Sequence, residues 1–138
     1  MAMECSLLYV SRVTIDAERL DDEFDAIIAR AHVYNARVGI TGGVVRVGGY
    51  FAQVLEGSSE AVKTLMQHID RDPRHADVSV LRIAARDKRQ FDGWLMAYAG
   101  ESRYLGHQIT QLLAPDLGEG PERIDRLETL IVAMAAMS

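Results

Sequence analysis

A chain of 138 residues, 49% hydrophobic and 25% charged, fills one hydrophobic core and leaves too little for two independent catalytic domains. Twenty acidic against fifteen basic side chains give a net charge of -5, which opposes attraction to phosphate backbones and anionic lipid, so neither nucleic acid nor a membrane surface is an expected partner. The single Cys5 excludes an internal disulfide, and with no cleavable apolar leader and no run near the ~18 residues of a membrane span, a cytoplasmic protein is expected.

Residues 6–13, SLLYVSRV, are a short apolar run rich in β-branched and aromatic types, which predicts a buried strand. From residue 17 the period changes: Leu20, Phe24, Ile27, Ile28 and Ala31 recur at helical spacing, predicting an amphipathic helix over 17–35 with Asp16 as its cap. Gly39, Gly42 and Gly43 break that period. Residues 38–47 and 50–56 flank Gly48-Gly49, the kind of dipeptide that supplies positive φ in a tight turn, and predict a β-hairpin. Ser58 or Ser59 can cap a second helix carrying Ala61, Val62, Leu65, Met66 and Ile69, which ends before Pro73. Residues 77–85 alternate as a fourth strand, and Trp94 to Tyr98 make a short fifth, with polar DKRQFDG between them. Residues 102–113 and 121–137 are two further amphipathic helices, Pro121 suiting the first position of the latter.

This order, βαββαβ with one added strand, predicts an α+β ferredoxin-like sandwich: two helices on one face of a mainly antiparallel sheet. The opposite face needs a cover. The two C-terminal helices either lie on it or pair with another subunit, and both arrangements stay open. The expected organisation is one domain over residues 1–99, with 100–138 a helical extension that caps it or makes an oligomer.

Several chemistries lack their residues. GITGG and GVVRVGG sit in the wrong context for a phosphate-cradling loop. His68 and His75 are seven apart with no third His or Cys nearby, so no metal is expected. Cys5 in a strand reads as packing rather than as a nucleophile. What remains is polar residues inside apolar elements: Tyr9 in the first strand, Gln53 in the middle of YFAQVLE, and Asn35 at the end of the first helix. A buried amide needs partners for its donors and acceptors, and Tyr9 is a candidate partner for Gln53. Singly, each has a plainer explanation, a core tyrosine or a helix-capping asparagine. Together they suggest a polar spot between sheet and helices.

LLYVSR in the first strand, ARAHVYNARVGITG across the end of the first helix, FAQVLEG in the hairpin, DPRH after the second helix and RQFDGWLM before the last strand resemble a BLUF domain, a blue-light sensor that uses flavin. The pieces stand in the family's order and cover about residues 4–99. The resemblance implies FAD, with FMN as the alternative flavin, bound non-covalently between the two helices. It implies that Asn35 bonds the pyrimidine side of the ring and that Gln53 bridges the Tyr9 hydroxyl to the ring's N5 and O4 edge. It further implies light-driven electron and proton transfer from Tyr9 that leaves the Gln53 hydrogen bonds rearranged, an amide being able to bond in two orientations. Arg74, His75 and His68 match positions near the flavin, where a solvated helix end is the plainer reading. Ile28 and Ala31 are candidate ring contacts, and Trp94 and Met96 match the family's Trp-x-Met segment, either of which can face the flavin.

Three departures stand out. Tyr34 replaces a residue that is often polar or an imidazole, which bears on the bonding at that ring edge. Gly43 and Arg46 replace larger apolar and aromatic residues, so their strand is expected to be looser or exposed. The competing readings are a light-insensitive adaptor, which would be colourless, and a flavin reductase, which would consume reduced nicotinamide and for which no acid/base pair is evident. With few residues after 99, no enzymatic output is expected within the chain. Signalling would pass to a downstream protein partner, with homo-oligomerisation the default.

Overall fold

The computed structural model describes residues 4–16, 18–47, 49–91, 97–98, 124–125, 127–129 and 131–132. The elements are β1 (Glu4–Val13), α1 (Leu20–Val38), β2 (Thr41–Val47), β3 (Tyr50–Gly57), α2 (Ser59–Arg71), β4 (His75–Arg86) and β5 (Ala97–Tyr98). The sheet order is β4-β1-β3-β2-β5. β1 is antiparallel to β3 and β4, β2 is antiparallel to β3, and β5 adds in parallel to β2. This is the ferredoxin-like arrangement, with β3 inserted between the two strands that α1 connects.

Local chemistry explains where the elements begin and end. α1 starts three residues later than expected because Asp16 does not cap it: the Asp16 carbonyl accepts from the Arg19 N–H at 3.0 Å, and Arg19 stands at the cap without a side-chain bond. The helix runs past Asn35 to Val38, where Gly39 turns left-handed at φ 75 and returns its N–H to the Asn35 carbonyl. The turn takes up residues 39 and 40, so β2 begins at Thr41 rather than at 38. Of the two candidate serines, Ser58 caps α2, its hydroxyl accepting from the Ala61 N–H at 3.1 Å. The hairpin closes with Val47 opposite Tyr50, as the pattern predicts. β4 starts two residues early, His75 pairing with Val13, and Asp77 at φ 54 is held by an ion pair with Arg12 at 2.9 Å.

Period-2 alternation divides the sheet into two cores. On one face Leu7, Tyr9, Val44, Phe51 and Leu55 meet Phe24, Val62 and Met66 of the two helices. On the other, Leu8, Val10, Val45, Ala52 and Val54 meet Phe91 and a C-terminal helical segment, whose Leu127 and Ile131 are buried. Of the two covers left open above, the chain's own helix is therefore the one seen. A polar clamp borders this contact: Arg82 and Arg86 of β4 donate to the buried Glu128 carboxylate at 2.9 and 3.0 Å, and Arg82 also pairs with Asp125.

β2 is an interior strand, contrary to the expectation of a loose or exposed one. The Phe91 ring and Ile131 occupy the space above Gly43, where an added Cβ would lie 2.6 Å from the ring. Arg46 is half-buried with its guanidinium 5.4 Å from the centre of the Phe24 ring, a cation–π contact. Small residues here let neighbouring aromatics close in. The expected helix over 102–113, the proline at 121, and Trp94 and Met96 lie outside the described residues. No helix among the described residues is long and apolar enough to cross a membrane.

Candidate flavin site

β1 and β3 are inner strands, and their register sets Tyr9 directly opposite Gln53. Both side chains point to the helical face, and both are buried. The Tyr9 hydroxyl donates to Gln53 Oε1. Burial pushes the Tyr9 phenol far above its ordinary value of 10.0, and the negative charges of Asp72 and Asp70 push it further the same way. Tyr9 is thus a neutral donor throughout the physiological range, and the amide oxygen is the group it orients.

Above this pair, α1 and α2 leave a cleft of about 350 Å³ against the sheet, within the range typical of small-molecule sites. Tyr9 and Gln53 line it together with Ile28, Ala31 and Asn35 of α1, His68 of α2, and Arg74 and His75 beyond it. All eight residues named for flavin contact from the sequence therefore meet in one cavity. Asn35 is 1% exposed and reaches the cleft from within α1, one turn before its end, so it is a lining residue in addition to supplying the carbonyl that closes the helix.

The polar residues differ in what they have to spare. His75 is anchored at both ring nitrogens: Nε2–H donates to the Ile69 carbonyl at 2.6 Å, which leaves Nδ1 to accept from the Ser11 hydroxyl at 2.8 Å. Its ring meets Tyr9 edge-on at 6.3 Å. What it offers the cleft is a ring surface that ties α2 to β1. Arg74 forms a fork with Asp72, with Nε at 2.9 and 3.0 Å from the two carboxylate oxygens and a terminal nitrogen at 2.5 Å. Those bonds hold the Asp72 carboxyl below its ordinary value and the Arg74 guanidinium above its own. His68 is exposed on α2 and meets the Tyr34 ring of α1 edge-on at 6.0 Å, so the unusual Tyr34 supplies a contact between the helices at the cleft.

The sequence placed Phe24, Ile27 and Leu65 only as apolar helix positions and did not single out Phe51, Arg30 or Val44, yet all six line the cleft and Phe24 stacks on Phe51 at 5.3 Å. Their signal was present as spacing. Ile27, Arg30, Ala31 and Tyr34 follow one helical stripe, and Phe51 shares the face of Gln53 by alternation.

The residues fit a flat heteroaromatic ring with one polar edge. Aliphatic and aromatic side chains make up much of the lining, with Tyr9 and Gln53 on the sheet, Asn35 on α1, and Arg30, His68, Asp72, Arg74 and His75 adding polar groups. Comparison with known proteins agrees. The family model described as "Sensors of blue-light using FAD" matches residues 5–97. The photoactivated adenylate cyclase subunit beta of Euglena gracilis is 38% identical over 97 residues, which cover 70% of this chain but only 11% of that protein. The dark-state structure of the BLUF protein BlrB superposes with a TM-score of 0.77 at 32% identity, covering 96% of this chain and 98% of the other. BlsA in its photo-activated state, 23% identical, shares the fold with a TM-score of 0.79 over 94% and 95% of the two chains. From the strand register that makes the Tyr9–Gln53 pair to the match over residues 5–97, this chain belongs to the BLUF family of flavin-using blue-light sensors.

Proposed function

We propose that this chain senses blue light through FAD held in the α1/α2 cleft, with Tyr9 as photochemical donor and Gln53 as the group whose hydrogen bonds store the signal. The reading is carried by one observation, the buried hydrogen bond from Tyr9 to Gln53 Oε1 at the cleft floor. Bound FAD supplies absorption of blue light and an excited state able to accept an electron. Tyr9 gives up an electron and its phenolic proton together, because a protonated phenol radical cation in so buried a place would be costly. Gln53 accepts the hydrogen bond of the Tyr9 hydroxyl and relays that proton. Tyr9 then recovers both, and no bond to a substrate is made or broken. Gln53 remains with donor and acceptor ends exchanged, which a neutral amide permits at little cost. Asn35 holds the ring's polar edge, Ile28 and Ala31 pack on it, and His68, Arg74 and His75 border it. Trp94 and Met96 respond to the state of Gln53.

The chain works as a sensor without an enzymatic activity of its own. Residues 1–99 form the light-sensing domain and 100–138 an extension that caps it or makes an oligomer, and the output passes by protein–protein contacts, either between copies or to a downstream protein, in the cytoplasm. The test is difference absorbance of the FAD-loaded protein under blue light. Wild type is expected to show a reversible red shift and Tyr9→Phe none, with FAD still bound. A wild-type response in Tyr9→Phe refutes the donor role.

A further inference from the structure

The arginines described in this chain mostly have acidic partners. Arg12 pairs with Asp77, Arg19 with Glu23, Arg74 with Asp72, Arg82 with Asp125 and Glu128, Arg86 with Glu128 and Arg89 with Glu4. Arg30 breaks this pattern. It is exposed on α1, lines the cleft, and forms no ion pair or hydrogen bond with any described residue. The reason is local: its helical neighbours at three and four residues are Ala26, Ile27, Val33 and Tyr34, none of them acidic, although the first turns of α1 hold Asp21, Asp22, Glu23 and Asp25. The other guanidinium on the cleft, that of Arg74, already has its Nε and one terminal nitrogen committed to Asp72, whose charge it neutralises.

We propose that Arg30 reads the phosphate of the bound flavin and so sets a preference for phosphorylated flavin over riboflavin. This rests on the flavin reading above and adds a specificity determinant to it. With Tyr9, Gln53 and Asn35 taking the ring edge, the phosphorylated chain leaves toward solvent, where Arg30 is, among the described residues lining the cleft, the guanidinium with no donor committed. Arginine offers five donors in a planar fork suited to phosphate oxygens. In a protein of net charge -5, a phosphate otherwise meets an unfavourable field, so one uncommitted arginine at the cleft has a local effect. Because the pair is solvent-exposed, the expected preference is modest, about fivefold, and screened by salt.

The test is fluorescence titration of the flavin-free protein with riboflavin, FMN and FAD at low and high ionic strength. Wild type is expected to bind the phosphorylated flavins about fivefold tighter than riboflavin at low salt, the ratio shrinking at high salt. Arg30→Gln should bring the ratio near one, Arg30→Lys should keep part of it, and Arg37→Gln, on the same helix but away from the cleft, should leave it intact. A change seen with FMN, with FAD or with both supports the assignment and shows which phosphate is read. Equal wild-type affinities, an unchanged ratio in Arg30→Gln, or an equal loss in Arg37→Gln overturns it. If no flavin binds at all, the flavin reading itself fails, which is a separate outcome.

Discussion

Leu127→Ala tests whether the C-terminal helix belongs to the fold. Leu127 is 0% exposed and sits on the sheet face away from the cleft, in a cluster with Leu8, Val10, Val54 and Phe91. The substitution removes three carbons, about 2.4 kcal/mol at ~0.8 kcal/mol for each buried carbon. A cavity term raises this, because interior strands β1 and β3 cannot collapse into the space, so about 3 kcal/mol is expected, inside the 2–5 kcal/mol range for Leu→Ala. With a urea slope of about 1.5 kcal/mol/M, the midpoint should fall by about 2 M. Urea titration followed by circular dichroism measures it. FAD affinity, read at a concentration of denaturant where both proteins stay folded, should change by less than about twofold, because the sheet separates Leu127 from the cleft. A midpoint shift below about 0.3 M would refute the reasoning, since the helix could not then be covering this face in solution.

Three further outcomes follow from the same geometry. Gly43→Ala places a Cβ 2.6 Å from the Phe91 ring and should destabilise by about 1–3 kcal/mol through overpacking, measured as a lowered thermal midpoint. Glu56, 1% exposed, accepts the backbone N–H groups of Gln90 and Phe91 at 2.6 and 3.0 Å, so Glu56→Ala leaves two donors without their acceptor. A loss of about 2–4 kcal/mol is expected, and amide exchange at residues 90 and 91 should accelerate. The Asp72 carboxyl is held below its ordinary value of 3.8 by Arg74, so its contribution is complete above that pH and is lost as pH falls through the lower folded value. Both partners are partly exposed, at 28% and 24%, so Asp72→Asn should cost under ~1 kcal/mol at pH 7, with the difference from wild type vanishing as acid titrates the wild-type carboxyl.

Much of the candidate site was legible because it is written in short-range patterns. Gln53 is a polar interruption in the apolar run of β3, and Tyr9 stands in another such run, so a pairing between them follows once both strands are buried. The resemblance carried Asn35, Ile28, Ala31, His68, Arg74 and His75, and the cleft assembles all of them. Boundaries were less legible. Asp16 has the side chain of a cap, yet its backbone carbonyl makes the bond, and α1 continued past Asn35 because Gly39 could take a positive φ four residues later. The engagement of His75 was not legible at all, since its partners Ser11 and Ile69 are 64 and six residues away.

The sequence by itself determined the order of the elements, the alternation that gives the sheet two apolar faces, and the residue types at the cleft floor, because each depends on neighbours within a few positions. Tertiary structure decided the rest. It set Tyr9 against Gln53 across a register of 44 residues, used Phe91 to fill the space beside Gly43, and laid Leu127 and Ile131 on the face that the two main helices leave open. It also showed which charges are spent on one another, leaving Arg30 at the cleft without an ion pair among the described residues. Those outcomes depend on distances between segments remote in the chain, and no local periodicity encodes such distances.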